Sequence, residues 1–209
     1  MPIKIKLIKK VGKFEVWLVD GAIIRKSIDA DFTNFSQHLH NKYVPINEFW
    51  IDNNTKEEEW NFFITHLLAE YKAMSQGKKY EDALDIADRA ERADRFKSKK
   101  FKKAPKDYSK LIKKIKIKKI ATFGNLTVWL VNGELIRDFL YTDFVEGGHF
   151  KVYDWVPDGE IFIESAVIGN ERFYILLHEI FECRLMLAGL KYNDAHEKAT
   201  KLEWLVREM

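Results

Sequence analysis

Cysteine is nearly absent from this chain of 209 residues: Cys183 is the only one. A single thiol forms no internal disulfide, which excludes a disulfide scaffold and points to a reducing, cytoplasmic location. No apolar run is long enough to span a bilayer. The opening stretch Met1–Lys6 alternates Ile and Lys, so it has no signal-peptide core. Net charge is small, +3 at neutral pH, and no recognised nucleic-acid motif is present. What remains, 46% hydrophobic and 14% aromatic residues, is the composition of a folded globular protein, not a disordered one.

The charge is small but uneven. From Lys97 to Lys119 there are 12 lysines and one acid, Asp107. The rest of the chain is therefore net acidic. Such a run can bind a phosphate backbone, so nucleic acid through Lys97–Lys119 is one candidate partner. Phe101 and Tyr108 lie among the lysines, as stacking residues of a single-strand binder would. The alternative is a solvated linker followed by a lysine-rich edge strand that discourages aggregation.

The dominant feature is a repeat. Shifting the chain by 112 positions aligns its halves without a gap, and 31 of the 93 positions from Ile3 to Arg95 are identical to their partners. That is too many for chance. Ile3–Lys6 recurs at Ile115–Lys118, Val16–Val19 at Val128–Val131, Ile24-Arg25 at Ile136-Arg137, and His66/Glu70 at His178/Glu182. Each copy reads as an Ile/Lys strand, a strand ending in Asp20-Gly21 or Asn132-Gly133, a return strand, a short strand after proline, and two helices. Asx-Gly between apolar runs is the strongest short hairpin signal. The expected fold is α+β: a tandem duplication of a small antiparallel sheet followed by a two-helix hairpin. Residues 1–97 form the first repeat, 98–114 a lysine-rich linker without packed structure, and 115–209 the second repeat. The repeats could pack together as an intramolecular pseudo-dimer.

Candidate chemistry sits in the second copy, between Glu171 and Glu203. A helix is expected over about 171–188, capped by Gly189, and another from an N-cap at Asn193 to about Arg207. The first helix is apolar on nearly every side, which argues that it is buried all round. Cys183 within it is read as a core residue. At about 100° per residue, His178, Glu182 and Glu179 fall at roughly 0°, 40° and 100°, a narrow ionisable strip on an oily rod. Burying such groups is costly unless they are paired or bind a metal. In an antiparallel hairpin turning at Gly189, positions 182 and 196 are equidistant from the turn. His178, Glu182 and His196 thus form a candidate metal set, and two histidines with one carboxylate and an open position is the usual form of a catalytic zinc site. Zinc is the first choice; manganese and iron also suit the set. Glu179 is left as a general base on a metal-bound water.

The run His178-Glu179-Ile180-Phe181-Glu182 resembles the helical HExxH motif of zincin metallopeptidases, with Glu182 standing where the family has its second histidine. The resemblance implies that His178 is a ligand, that Glu179 is the base, and that the substrate is a peptide or protein. His149, in a Gly-Gly-His loop, is a candidate fourth ligand or acid/base. Tyr80 and Tyr192, after the cap glycines, are read as packing residues.

The first copy has lost much of this. Glu179 is matched by Leu67, His196 by Leu84 and His149 by Gln37, whereas His66 and Glu70 persist. One reading is an active second copy and a degenerate first one. Another is that the His–Glu pair is a structural tie common to both, in a duplicated binding module without catalysis. A further alternative is that the first copy builds its own site from His38, His40 and His66. A third class, a nucleotide phosphohydrolase, would hold magnesium on Glu179, Glu182 and Glu197.

Overall fold

The computed structural model describes residues 2–98 and 107–209. The first half runs β1 (Lys4–Val11), β2 (Phe14–Val19), α1 (Gly21–Ser27), β3 (Phe35–Gln37), β4 (Glu48–Asp52), α2 (Trp60–Ser75) and α3 (Tyr80–Lys97). After α4 (Tyr108–Ile115) the order returns as β5 (Lys116–Phe123), β6 (Leu126–Val131), α5 (Gly133–Phe139), β7 (Gly147–His149), β8 (Glu160–Glu164), α6 (Gly169–Leu187) and α7 (Tyr192–Glu208). The fold is α+β, a sheet-plus-helices unit used twice.

Both sheets have one topology, β1-β2-β4-β3 and β5-β6-β8-β7. The lysine-rich strands β1 and β5 lie at the edges, where exposed cations discourage further pairing. One central pair in each sheet is parallel, with Trp17 beside Trp50 and Trp129 beside Phe162. The expectation of an all-antiparallel sheet is corrected there, because the chain crosses over through α1 and β3 instead of returning directly.

The reason lies at Asp20-Gly21. This dipeptide does not turn a hairpin. The Asp20 carboxylate accepts from Ile23 N at 3.2 Å and Asn132 accepts from Leu135 N at 3.2 Å, so each Asx residue N-caps a helix where a return strand was expected. The glycine is needed for close approach: a Cβ on Gly21 would collide with the Asp52 carboxylate, and one on Gly133 with that of Glu164. The hairpin turns fall instead at Gly12 (φ 57°) and Gly124 (φ 65°), in left-handed backbone suited to glycine.

The lysine-rich linker holds a second correction. Residues 99–106 lie outside the described residues, but 108–115 form α4, capped by the Asp107 side chain on Ser109 N. Leu111, Ile112 and Ile115 are buried against Val131, Ile136 and Phe144. Three apolar residues on one face sufficed to pack a helix that its lysines made look solvated.

In each unit the main core lies between the sheet and the first long helix. Phe14, Val16, Phe49 and Ile51 meet Phe63, Ile64 and Leu67 in the first. Leu126, Val128, Ile161 and Ile163 meet Ile175 and Cys183 in the second. Helix α6 is not buried all round: Phe173 is 56% and Leu187 47% exposed, and its buried residues are Glu171, Ile175, His178, Glu182 and Cys183. The face turned inward is the ionisable one. Among the described residues no helix is long and apolar enough to cross a membrane.

What compensates the buried charge is a reciprocal exchange between the repeats. Arg25, in the first, donates from Nε to Glu171 of the second at 2.6 Å; Arg137, in the second, donates from Nε to Glu59 of the first at 2.8 Å. Glu171 also accepts from Arg207 at 2.6 Å, and Glu59 from Arg95 at 2.9 Å. Arg207 then bonds Glu203, and Arg95 bonds Glu91, both at 2.8 Å. Each ladder ends on a histidine, with His178 Nδ1 3.0 Å from Glu203 and His66 Nδ1 3.0 Å from Glu91. Each residue of one ladder has its counterpart in the other at the repeat offset of 112.

Candidate metal centre

The second ladder ends in the ionisable strip of α6. His178 Nδ1 donates to Glu203, which turns Nε2 towards the helix hairpin. There Nε2 lies 3.4 Å from Glu182 Oε2 and 3.2 Å from His196 Nδ1. His196 Nδ1 is 2.7 Å from Glu182 Oε2. His178, Glu182 and His196 are thus brought together, and they form a group able to hold a metal ion. Helix α7 begins at Tyr192, with Lys191 as N-cap, two residues before the N-cap expected at Asn193. That start places Tyr192 over His196, with ring centroids 5.4 Å apart.

The other nitrogen of His196 faces the first repeat, 3.9 Å from Asp31 Oδ1. Asp31 is itself held by Thr200 Oγ1 at 3.1 Å. Each histidine of the group therefore has a carboxylate behind it, Glu203 behind His178 and, more loosely, Asp31 behind His196. Such outer carboxylates fix ring orientation and raise ligand basicity in metal sites.

His149 is fully buried, with Nε2 2.9 Å from Glu182 Oε1. Lys151 N donates to its Nδ1 at 3.2 Å. The counterpart Gln37 makes the same two bonds: its Nε2 donates to Glu70 Oε1 at 2.6 Å and its Oε1 accepts from Leu39 N at 2.7 Å. An amide can fill this place only as donor on one side and acceptor on the other. His149 fills the same place with Nε2 towards Glu182 and Nδ1 towards Lys151 N, and with Glu179 and Glu182 it makes a second group able to hold a metal ion.

Glu179 has no hydrogen-bond partner among the described residues. It presses against β7, where a Cβ on Gly147 would lie 2.7 Å from its Oε1. It borders a cavity of about 240 Å³ between the repeats, lined also by Asp31, Glu146, His178, His196 and Glu203. A smaller cavity of about 90 Å³ on its other side reaches Tyr153, Glu182 and Tyr192.

Burial and hydrogen bonds shift the charges of the group in opposite directions. Burial would raise the Glu182 carboxyl, but hydrogen bonds from His149, His178 and His196 outweigh it and hold the group well below the usual carboxylate range. Burial would lower His178, but Glu182 and Glu203 outweigh it and push the ring up to about 10. Glu179 goes the other way: burial, with Glu182, Glu203 and Glu146 adding repulsion against the opposing charge of His178, pushes it up to about 8. Glu146 rises to about 8 chiefly through burial, although Arg25 Nη1 lies 2.8 Å away.

Two expected constellations do not assemble. Glu197 is exposed and paired with Lys201, away from Glu179 and Glu182, so the three acids do not share a magnesium ion. In the first repeat His38 Nδ1 is bound to Val44 O at 2.8 Å and His40 stacks on Tyr80 at 3.8 Å. Among the described residues of that repeat no three ligand atoms gather. Glu203, Asp31, Arg207 and Arg25 were not singled out as site residues from sequence. The signal available for them was identity across the repeat, since Arg25, Asp31, Glu91 and Arg95 match Arg137, Asp143, Glu203 and Arg207.

Comparison with known proteins returns no matching family model, no matching curated protein and no matching solved structure. The functional reading therefore rests on the chemistry of the site.

Proposed function

We propose that the chain is a metal-dependent hydrolase whose centre lies in the second repeat. Zinc is held by His178 Nε2, Glu182 Oε2 and His196 Nδ1, and Glu179 is the base. The observation that carries the reading is the triangle of donor atoms, with edges of 3.2, 3.4 and 2.7 Å. Zinc bonds of about 2.0–2.1 Å in a tetrahedron set ligand atoms roughly 3.3 Å apart, so two edges already have the required length. The third closes as a hydrogen bond and needs to open by about half an ångström. Manganese or iron would fit the same donors.

A metal there supplies Lewis acidity and lowers the pKa of water. The chain's own groups do the rest. His149 donates to Glu182 and fixes its orientation, a positioning role beside the fourth-ligand and acid/base roles expected from sequence. Glu203 fixes His178. Glu179, unpartnered on the cavity wall, accepts the proton of the attacking water. Amide and peptide bonds are the substrate class that this set serves, and a cavity of about 240 Å³ takes a small segment of such a substrate.

The second reading is a duplicated binding module without catalysis. Its support is that His66–Glu91 and His178–Glu203 tie their helix pairs at the same 3.0 Å. A panel of fluorogenic amides and esters, offered to the zinc-loaded chain, separates the two. Glu179→Gln should lower turnover by about 100-fold or more, the usual contribution of a general base, with zinc affinity retained. Turnover unchanged in that variant removes Glu179 from the mechanism. No hydrolysis by the parent leaves the binding module.

A further inference from the structure

The first repeat keeps a cavity of its own, of about 130 Å³, bordered by Asp31, His66, Glu70, Tyr80, Leu84 and Asp143. His66 is 1% exposed, and its Nε2 has no hydrogen-bond partner. Glu70 Oε1 is taken by Gln37, but Oε2, 3.7 Å from His66 Nε2, accepts no hydrogen bond. Asp143 reaches in from the second repeat with no hydrogen-bond or ion-pair partner among the described residues. It is the counterpart of Asp31, which crosses in the opposite direction.

We infer that this cavity is a recognition subsite for an organic ammonium group, held by Glu70, Asp143 and His66 Nε2. The substitutions between the copies have a chemical logic. Leu84 replaces the third metal donor and Leu67 replaces the base, so neither a three-donor metal site nor a hydrolytic centre is left. The negative charge is retained. An alkylammonium carries its own N–H donors, which match two carboxylates and an imidazole lone pair, and its chain lies against Leu67 and Leu84. At His66 burial opposes the charge, yet Glu70 and Glu91 push the ring up to about 10, so Nε2 carries a proton in the empty cavity and an ammonium binds by displacing it. A bound ammonium takes the position that a proton otherwise fills.

The two cavities adjoin, because Asp31, Thr33 and Val145 line both. Resting on the proposed metal centre, the substrate is then an amide or peptide bearing an aliphatic amine. The amine lies in the first repeat and the scissile bond in the second.

The test is amide-detected NMR on the metal-free full chain, titrated with n-butylammonium and, as the neutral control, n-butanol. Saturable shifts around residues 66–84 and 143–145 are expected with n-butylammonium and not with n-butanol. Asp143→Asn and Glu70→Gln should each weaken binding at least tenfold. Amide dispersion away from the cavity, unchanged in both variants, shows that they are folded. No saturable shift, an equal response to n-butanol, or affinity unchanged in both folded variants overturns the inference. Neither metal nor turnover enters the binding measurement, so its failure is distinct from failure of the hydrolase reading.

Discussion

Replacing Glu59 with glutamine removes the negative charge that two buried arginines from different repeats share. Glu59 is 0% exposed, Arg95 0% and Arg137 4%. It accepts from Arg95 Nη2 at 2.9 Å and from Arg137 Nε at 2.8 Å, and Arg137 Nη2 bonds its second oxygen. Breaking one partner out of a buried ion pair costs about 3–5 kcal/mol, because the other charge is left uncompensated. Here the compensation is only partly lost. Arg95 keeps Glu91 at 2.8 Å and Asp138 at 3.0 Å, and Arg137 keeps Glu164 at 3.0 Å. The glutamine also retains one acceptor. Glu59→Gln should therefore fall at the low end, about 3 kcal/mol. With a urea m-value of roughly 2–3 kcal/mol/M, the denaturation midpoint drops by about 1 M. Glu58→Gln, one residue away and exposed, should stay within about 0.5 kcal/mol of the parent. A loss under about 1 kcal/mol for Glu59→Gln would refute the claim that the exchanged ion pairs hold the repeats together.

Three further outcomes are expected. Leu84→His supplies the first repeat with the donor it lacks beside His66 and Glu70, so metal content should rise by one equivalent; no rise shows that the two sites are not equivalent in geometry. Glu203→Gln removes the carboxylate behind His178 and should weaken zinc binding by about 10–100-fold, whereas Glu91→Gln, its counterpart behind His66, should leave it unaltered; equal effects would detach the metal from the second repeat. In Glu59 burial raises the carboxyl, but Arg137 and Arg95 outweigh it and hold the group below its ordinary value of 4.5. A carboxylate depressed in the fold contributes stability that is whole above the unfolded value and drains as pH falls through the folded one. The urea midpoint should accordingly decline below about pH 4.5, less steeply in Glu59→Gln than in the parent; equal slopes would dismiss Glu59 as an acid-labile tie.

The duplication was legible because its register is ungapped, and with it the α+β class and the helical hairpins turned by Gly77 and Gly189. The gathering of His178, Glu182 and His196 was legible from spacing alone, since the turn at Gly189 sets two positions at equal depth. Other features were hidden by local signals that tertiary contacts override. Asp20-Gly21 has the composition of a hairpin, yet its glycine answers to the Asp52 carboxylate arriving from β4, a contact invisible in sequence. The parallel pairing of β2 with β4 follows from that helix and has no periodicity of its own. Helix α4 was masked by its lysines. Phe173 and Leu187 made α6 look buried all round, whereas its inward face carries charge because Arg25, from the other repeat, and Arg207 balance it. The bonds that bury His149 against Glu182 were hidden too, and only its counterpart Gln37, which makes the same two, shows that they belong to both copies.

The central claim is a metal ion in the second repeat, and elemental mass spectrometry on untagged protein tests it most directly. The parent, His178→Ala and His66→Ala would be supplied with zinc, desalted and counted for metal per chain. One equivalent in the parent and in His66→Ala, with none in His178→Ala, is the expected result. No metal in the parent, or equal loss from both variants, would contradict the claim and leave the His–Glu pairs as ties between helices.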